Sequence, residues 1–222
     1  MKKNKPYLFA LLTVCLPVML FAQEETNLNL FELQRKGQLV AVNRTITAVE
    51  EGGKKFIRVS ELDDEGLVWL PVKAFSSGRI EIFMRGKDVL QKSFVGIVFH
   101  GLNDSTYDAV YCRPFNFFAE DSVRRIHAIE YIAHPTYTWE KLRTEFNAKY
   151  EKEIKDPPDP NGWFRMTLII EGKTVKAFIN DKQEPSLVVE KLSQQQFGKV
   201  GIFTGSGSGG DFEKINIRYN AK

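Results

Sequence analysis

Cysteine is scarce in this sequence: among 222 residues there are two, Cys15 and Cys112. Only Cys112 lies beyond the apolar leader described below, so no internal disulfide staples the rest and a hydrophobic core must hold it together. Histidine is equally sparse, and His100, His127 and His134 are too scattered to give the spacing of a metal site. Arginine and lysine form no stripe, which argues against nucleic acid. There is no internal repeat, and no apolar run reaches the roughly 20 residues that a membrane-spanning helix requires.

What is present begins with an address label. Lys2, Lys3 and Lys5 precede an apolar run from Tyr7 to Phe21 that closes at Ala22, the pattern of a secretory signal. The expected organisation is therefore a leader at 1–22 and a single domain at 23–222, exported to the periplasm or the medium, with no membrane span once the leader is cut. Val14 before Cys15, where a lipoprotein signal carries a small residue, speaks against lipidation. Without the leader's three lysines the 31 basic residues fall to 28, equal to the 28 acidic ones. A neutral balance again excludes an electrostatic nucleic-acid binder.

The domain reads as strand after strand. Arg79–Phe117 contains three runs rich in β-branched and aromatic residues, Ile80–Met84, Phe94–Phe99 and Tyr107–Cys112, separated by Gly86-Lys87-Asp88 and Asn103-Asp104-Ser105. This spacing predicts consecutive antiparallel strands at the centre of one sheet. Before it, Asn27–Leu33, Gln38–Val49, Lys55–Ser60 and Leu67–Val72 are strand candidates. After it come Arg125–Ala133, whose register the pattern leaves open, a hairpin of Trp163–Ile170 and Thr174–Asn180, then Ser186–Leu192, Lys199–Thr204 and Phe212–Tyr219. Trp139–Ile154 is the one helical candidate, and Gly205–Gly210 reads as a flexible turn. About a dozen short strands and one short helix make an all-β sandwich the expected architecture.

The segments GRIEIFMRG, FVGIVFHG, YDAVYCRPFNF, PDPNGWFRMTLIIEGKTVKAFIND and GKVGIFTGSGSGGDFEKINI resemble the concanavalin A-like lectin/glucanase jelly roll, of the laminin-G-like sort found in exported bacterial proteins. The arrangement is also similar to that of the 3-keto-disaccharide hydrolase domains. This resemblance implies two large packed sheets with ligand on a concave face or its rim loops, and a glycan as the partner. It leaves three functions open: a carbohydrate-binding accessory domain, a glycoside hydrolase, and a protein-binding module.

Side-chain alternation puts Glu81, Phe83 and Arg85 on one strand face, and Tyr107, Ala109, Tyr111 and Arg113 on another. Glycoside hydrolysis needs two carboxylates flanking the bond. Glucanases of this fold carry acids at alternate positions of one strand, whereas here Phe83 and Arg85 follow Glu81, which leaves Glu130 as the remaining strand-borne partner for an enzyme. Glu81 and Arg113 form either a partly buried ion pair between neighbouring strands or a pair that hydrogen-bonds sugar hydroxyls. Phe83, Tyr111 and Phe115 offer platforms for the apolar faces of a sugar beside Arg85, Arg113 and Asn116, and His134 with Trp139 suits a rim loop. No cofactor is expected. For calcium, which sandwiches of this resemblance carry, there is Asp211 alone without a second carboxylate beside it.

Overall fold

The computed structural model describes residues 24–220; the expected leader and Cys15 lie outside the described residues. In chain order the elements are β1 (Glu25–Asn29), α1 (Leu30–Arg35), β2 (Val40–Val42), β3 (Ile46–Glu51), β4 (Lys54–Leu62), β5 (Gly66–Trp69), β6 (Gly78–Arg85), β7 (Val95–Asn103) and β8 (Thr106–Cys112). They continue with α2 (Ser122–Ile126), β9 (Ile129–His134), α3 (Trp139–Phe146), β10 (Glu151–Lys152), β11 (Trp163–Glu171), β12 (Thr174–Ile179), β13 (Leu187–Glu190), β14 (Lys199–Thr204) and β15 (Ser208–Tyr219). Two antiparallel sheets result. The eight-stranded one runs β13-β12-β11-β6-β15-β4-β3, with β1 also on β15, and the seven-stranded one runs β10-β9-β8-β7-β14-β5-β2.

The layers follow from period-two patterning. Along β6, Ile80, Ile82 and Met84 are fully buried while Glu81, Phe83 and Arg85 are half-buried on the other face. Phe164, Met166 and Leu168 on β11 and Phe212, Ile215 and Ile217 on β15 join them in the core, with Ile97, Val110, Ile129 and Ile202 of the other sheet. Among the described residues there is no disulfide: Cys112 is a buried thiol, which burial pushes well up in pKa. The hairpins form where glycine supplies positive φ, at Gly52-Gly53 between β3 and β4 and at Gly172 between β11 and β12.

The central stretch departs from expectation in one decisive respect. β7 and β8 pair as a hairpin, but β6 pairs with β11 and β15 in the opposite sheet. The loop after Arg85 crosses from one layer to the other, so Glu81 and Arg113 are not neighbours and the ion pair expected between them does not exist. Five smaller differences have local causes. Asn29 ends β1 and caps α1, its side chain accepting from the Glu32 backbone N–H at 3.1 Å, which breaks the strand expected over Asn27–Leu33. Asn43, at φ 50°, divides Gln38–Val49 into β2 and β3, which join different sheets. Asp121 caps α2, so the expected strand Arg125–Ala133 opens with the last two residues of a helix and is strand only from Ile129. The expected Trp139–Ile154 helix stops at Phe146, because Asn147 and Ala148 take positive φ and the chain re-enters as edge strand β10. Gly205–Gly210 is likewise part ladder: β15 begins at Ser208, which is buried.

Candidate functional site

The seven-stranded sheet has one face on the core and one turned away from it. Tyr111 on β8, Gly96 on β7 and Phe203 on β14 are directly opposed across the ladder and so share this outer face. Gly96 has a physical reason to lack a side chain: a Cβ there would lie 2.2 Å from the Val110 carbonyl oxygen and 2.5 Å from Tyr111 Cα. The Tyr111 and Phe203 rings meet beside it with centroids 5.0 Å apart. Phe94 and Phe115 pack edge to face at 5.3 Å and continue the aromatic wall. With the loop after β6 and helices α2 and α3, these rings enclose an open cleft of about 610 Å³, which Trp139 and Arg143 line from α3.

Beside the rings, on the same face of the sheet, is a buried ionic cluster. β9 and β10 place Glu130 and Glu151 as direct cross-strand partners, which without a cation between them would repel. Arg113 answers both. Its NH2 bonds to Glu130 and donates to the Tyr111 hydroxyl at 2.8 Å, and its NH1 lies 3.7 Å from Glu151. Tyr111 in turn donates to Glu130 Oε2 at 2.8 Å. Arg143 clasps Glu151 through two bonds of 3.0 and 3.3 Å. His127 Nδ1 sits 2.6 Å from the same carboxylate but off the hydrogen-bonding direction. Burial, and then the Glu151 charge, push the Glu130 carboxyl up despite the Arg113 guanidinium and the tyrosine hydroxyl. Its Oε1 is buried and has no hydrogen-bond partner among the described residues. Burial pulls Arg113 down, but its neighbours, the two glutamates among them, more than offset this and keep it charged.

Farther along the same sheet, His134 stacks on Tyr107 with centroids 5.1 Å apart. The Tyr107 hydroxyl donates to Glu65 Oε2 at 2.6 Å, and His134 Nε2 is 3.3 Å from the same oxygen. Burial pushes Glu65 up, but His134 and Tyr107 outweigh it and hold the carboxyl below its ordinary value. Glu65 lines the cleft, as do Tyr111, Arg113, Asn116 and Trp139 from the expected set.

Glu81, Phe83 and Arg85 do not join them. They lie on the outer face of the other sheet, where Arg79 holds Glu81 at 2.9 Å and Arg85 bonds Asp211 and Glu51. Phe83 stacks on Trp163 with centroids 5.5 Å apart. Glu81 and Glu130, expected as an enzyme's acid pair, stand in different sheets, because the layer change after β6 separates them. Asp211 is taken by two arginines, Arg58 at 2.8 Å and Arg85 at 2.6 Å, rather than left open to a cation. Among the described residues, no group of three or more acidic, histidine or cysteine side chains is placed to hold a metal ion.

Several residues of the cleft and of the ionic cluster beside it escape a sequence reading: Glu65, Phe94, Arg124, His127, Arg143, Glu151 and Phe203 come from loops, strands and the helices α2 and α3, far apart in the chain. The one local signal is at Glu151, an acid with an arginine eight residues before it in a segment whose helical spacing fails after Phe146.

No family model matches the sequence, and no curated protein matches it. Solved structures do match its fold. The carbohydrate-binding module CBM66 from Bacillus subtilis is similar over 82% of this chain and 92% of its own, at 14% identity and a TM-score of 0.54. A Bacillus subtilis protein of unknown function with a galectin-like fold covers 87% and 94%, at 11% identity and 0.58. A Bacillus licheniformis β-glucanase covers 90% and 100%, at 11% identity and 0.55. The architecture is thus the concanavalin A-like jelly-roll sandwich of lectins and glucanases.

Proposed function

We propose that the protein binds a saccharide in the cleft on the open face of the seven-stranded sheet, as an exported carbohydrate-binding domain. The observation that carries this reading is one open cleft that combines aromatic rings with polar side chains and a single lining carboxylate, Glu65. Rings stack on the C–H faces of a sugar, and Asn116, Arg113 and Glu65 offer donors and acceptors to hydroxyls. Binding is favoured over cleavage because hydrolysis needs two carboxylates at the bond. Glu130 and Glu151 are held in arginine bridges beside the rings and do not line the cleft. Two of the solved structures of this fold, the CBM66 module and the β-glucanase, are carbohydrate proteins by name, which supports the substrate class.

The test is a glycan array followed by calorimetry on the hits, run alongside an assay for released reducing ends. Binding without release is the expected outcome. Release that Glu65→Gln abolishes would replace this reading with a hydrolase, and neither binding nor release over a broad panel would leave a protein-interaction module.

A further inference from the structure

The balance of charge around the cleft narrows the class of saccharide, an argument that rests on the reading just given. Three arginines line it, Arg113, Arg124 and Arg143, against the one carboxylate of Glu65. Two of them are accounted for by ion pairs: Arg113 with Glu130 and Arg143 with Glu151. Glu65 is committed to Tyr107 and His134. Arg124 is different. Its Nε donates to Asn116 Oδ1 at 3.3 Å and its NH2 to the Phe115 carbonyl at 2.9 Å, both neutral acceptors. Among the described residues no carboxylate forms an ion pair with it. Asp88, Glu120 and Asp121 line the shallower recess on its other side, yet none comes within 4 Å.

A guanidinium fixed by two neutral acceptors is oriented without being neutralised. The two bonds use Nε and NH2, which leaves NH1 without a protein hydrogen-bond partner among the described residues. Guanidinium groups match carboxylate and sulfate geometry better than they match a hydroxyl, and a charge-assisted bond is about twice as strong as a neutral one. Asn116 ties this arginine to the floor of the cleft, since its own amide donates to the His127 carbonyl at 3.4 Å, the same oxygen that Arg113 NH1 reaches at 2.9 Å.

We infer that the cleft takes an acidic saccharide, a sugar chain bearing carboxylate or sulfate groups, and that Arg124 receives the anionic group. The aromatic wall supplies contact with the ring, and Arg124 supplies the choice between a charged chain and its neutral counterpart.

The experiment is calorimetry at low and high salt with four probes: an oligogalacturonate, the same chain fully methyl-esterified, a carrageenan-type sulfated galactan oligosaccharide, and its desulfated form. The expected result is about ten-fold tighter binding of at least one acidic chain than of its neutral form, a preference that shrinks as salt rises. Which acidic chain prevails separates carboxylate from sulfate. Arg124→Gln should erase the preference, while Arg218→Gln, on the far sheet, should keep it; a thermal melt checks that both variants are folded. Equal binding of acidic and neutral chains, or a preference that survives Arg124→Gln, overturns the inference and leaves the saccharide reading intact. No binding to any of these or to a neutral glycan panel overturns the saccharide reading itself, and this inference with it.

Discussion

Arg113 and Glu130 meet inside the seven-stranded sheet, two charges that are each nearly sealed from water and that share the hydroxyl of Tyr111. Removing one partner strands the other. Arg113→Met should cost about 3–5 kcal/mol, whereas the double variant Arg113→Met/Glu130→Gln should recover much of that loss, because a neutral amide needs no counter-charge. Denaturant midpoints read both. Equal losses in the single and double variants would mean that Arg113 acts through packing and not through charge.

Trp139 is 44% exposed at the cleft rim, with the Arg143 guanidinium 5.1 Å from its ring centre. Trp139→Ala should weaken saccharide binding roughly three- to ten-fold through lost stacking and leave the melting temperature almost unchanged. Affinity unchanged in the variant would place the sugar elsewhere on the sheet.

Gly96 bears the close approach of Tyr111. Gly96→Ala brings a methyl against the backbone of β8, and overpacking of this kind costs about 1–3 kcal/mol. The near-ultraviolet circular dichroism of the tyrosine should change as well, and a variant with native stability and spectrum would contradict the geometry.

A second buried cluster gives a pH dependence. His100 lies between Lys191, 2.6 Å from Nδ1, and the Ser76 carbonyl, 2.9 Å from Nε2, with Asp108 Oδ2 4.0 Å away. Burial first, then the Lys191 charge, lower its pKa to about 4. Between that value and the ordinary 6.5 the unfolded chain carries a proton that the folded one does not. Stability therefore falls as pH drops through this window, by about 3 kcal/mol in all. Asp108, which burial pushes up, works in the opposite sense because its folded form takes up a proton earlier. Comparison with His100→Asn, whose side chain suits the φ of 50° at this position, isolates the histidine. The wild type should lose more stability between pH 6.5 and 4 than the variant does, and parallel curves would refute the assignment.

Export can be checked on its own. Expression in a bacterial host followed by mass spectrometry should find a chain starting near Gln23 outside the cytoplasm. An intact N-terminus or a lipid on Cys15 is the contrary result.

The sandwich was legible because each long strand carries its own two-sided pattern: Ile80, Ile82 and Met84 read as core from spacing alone. Partner choice is not written in that spacing. β6 and β7 are consecutive and share composition, yet the loop of residues 86–94 carries the chain into the other layer, so residues that look adjacent in the chain are separated by the core. Tyr111, Arg113, Asn116 and Trp139 were legible as a group because one hairpin and the loops beyond it deliver them to the cleft. Phe203 in the cleft and Glu151 in the ionic cluster beside it were not, since pairing with β7 and β9 places them and periodicity does not encode that pairing.

The order of strands also governs when this protein can exist as a folded object. β14 lies between β7 and β5, and β15 between β6 and β4, so the last two strands to be made occupy interior positions of both sheets. Until residues 199–219 have left the ribosome, each layer is two separate half-sheets with exposed inner edges, and neither has its full share of the core. Both sheets can therefore be completed only after β14 and β15 have emerged, when these two strands join the halves of each layer. A premature stop within these residues removes the seam of both sheets instead of an edge, and yields a product for proteases in place of a shortened sandwich.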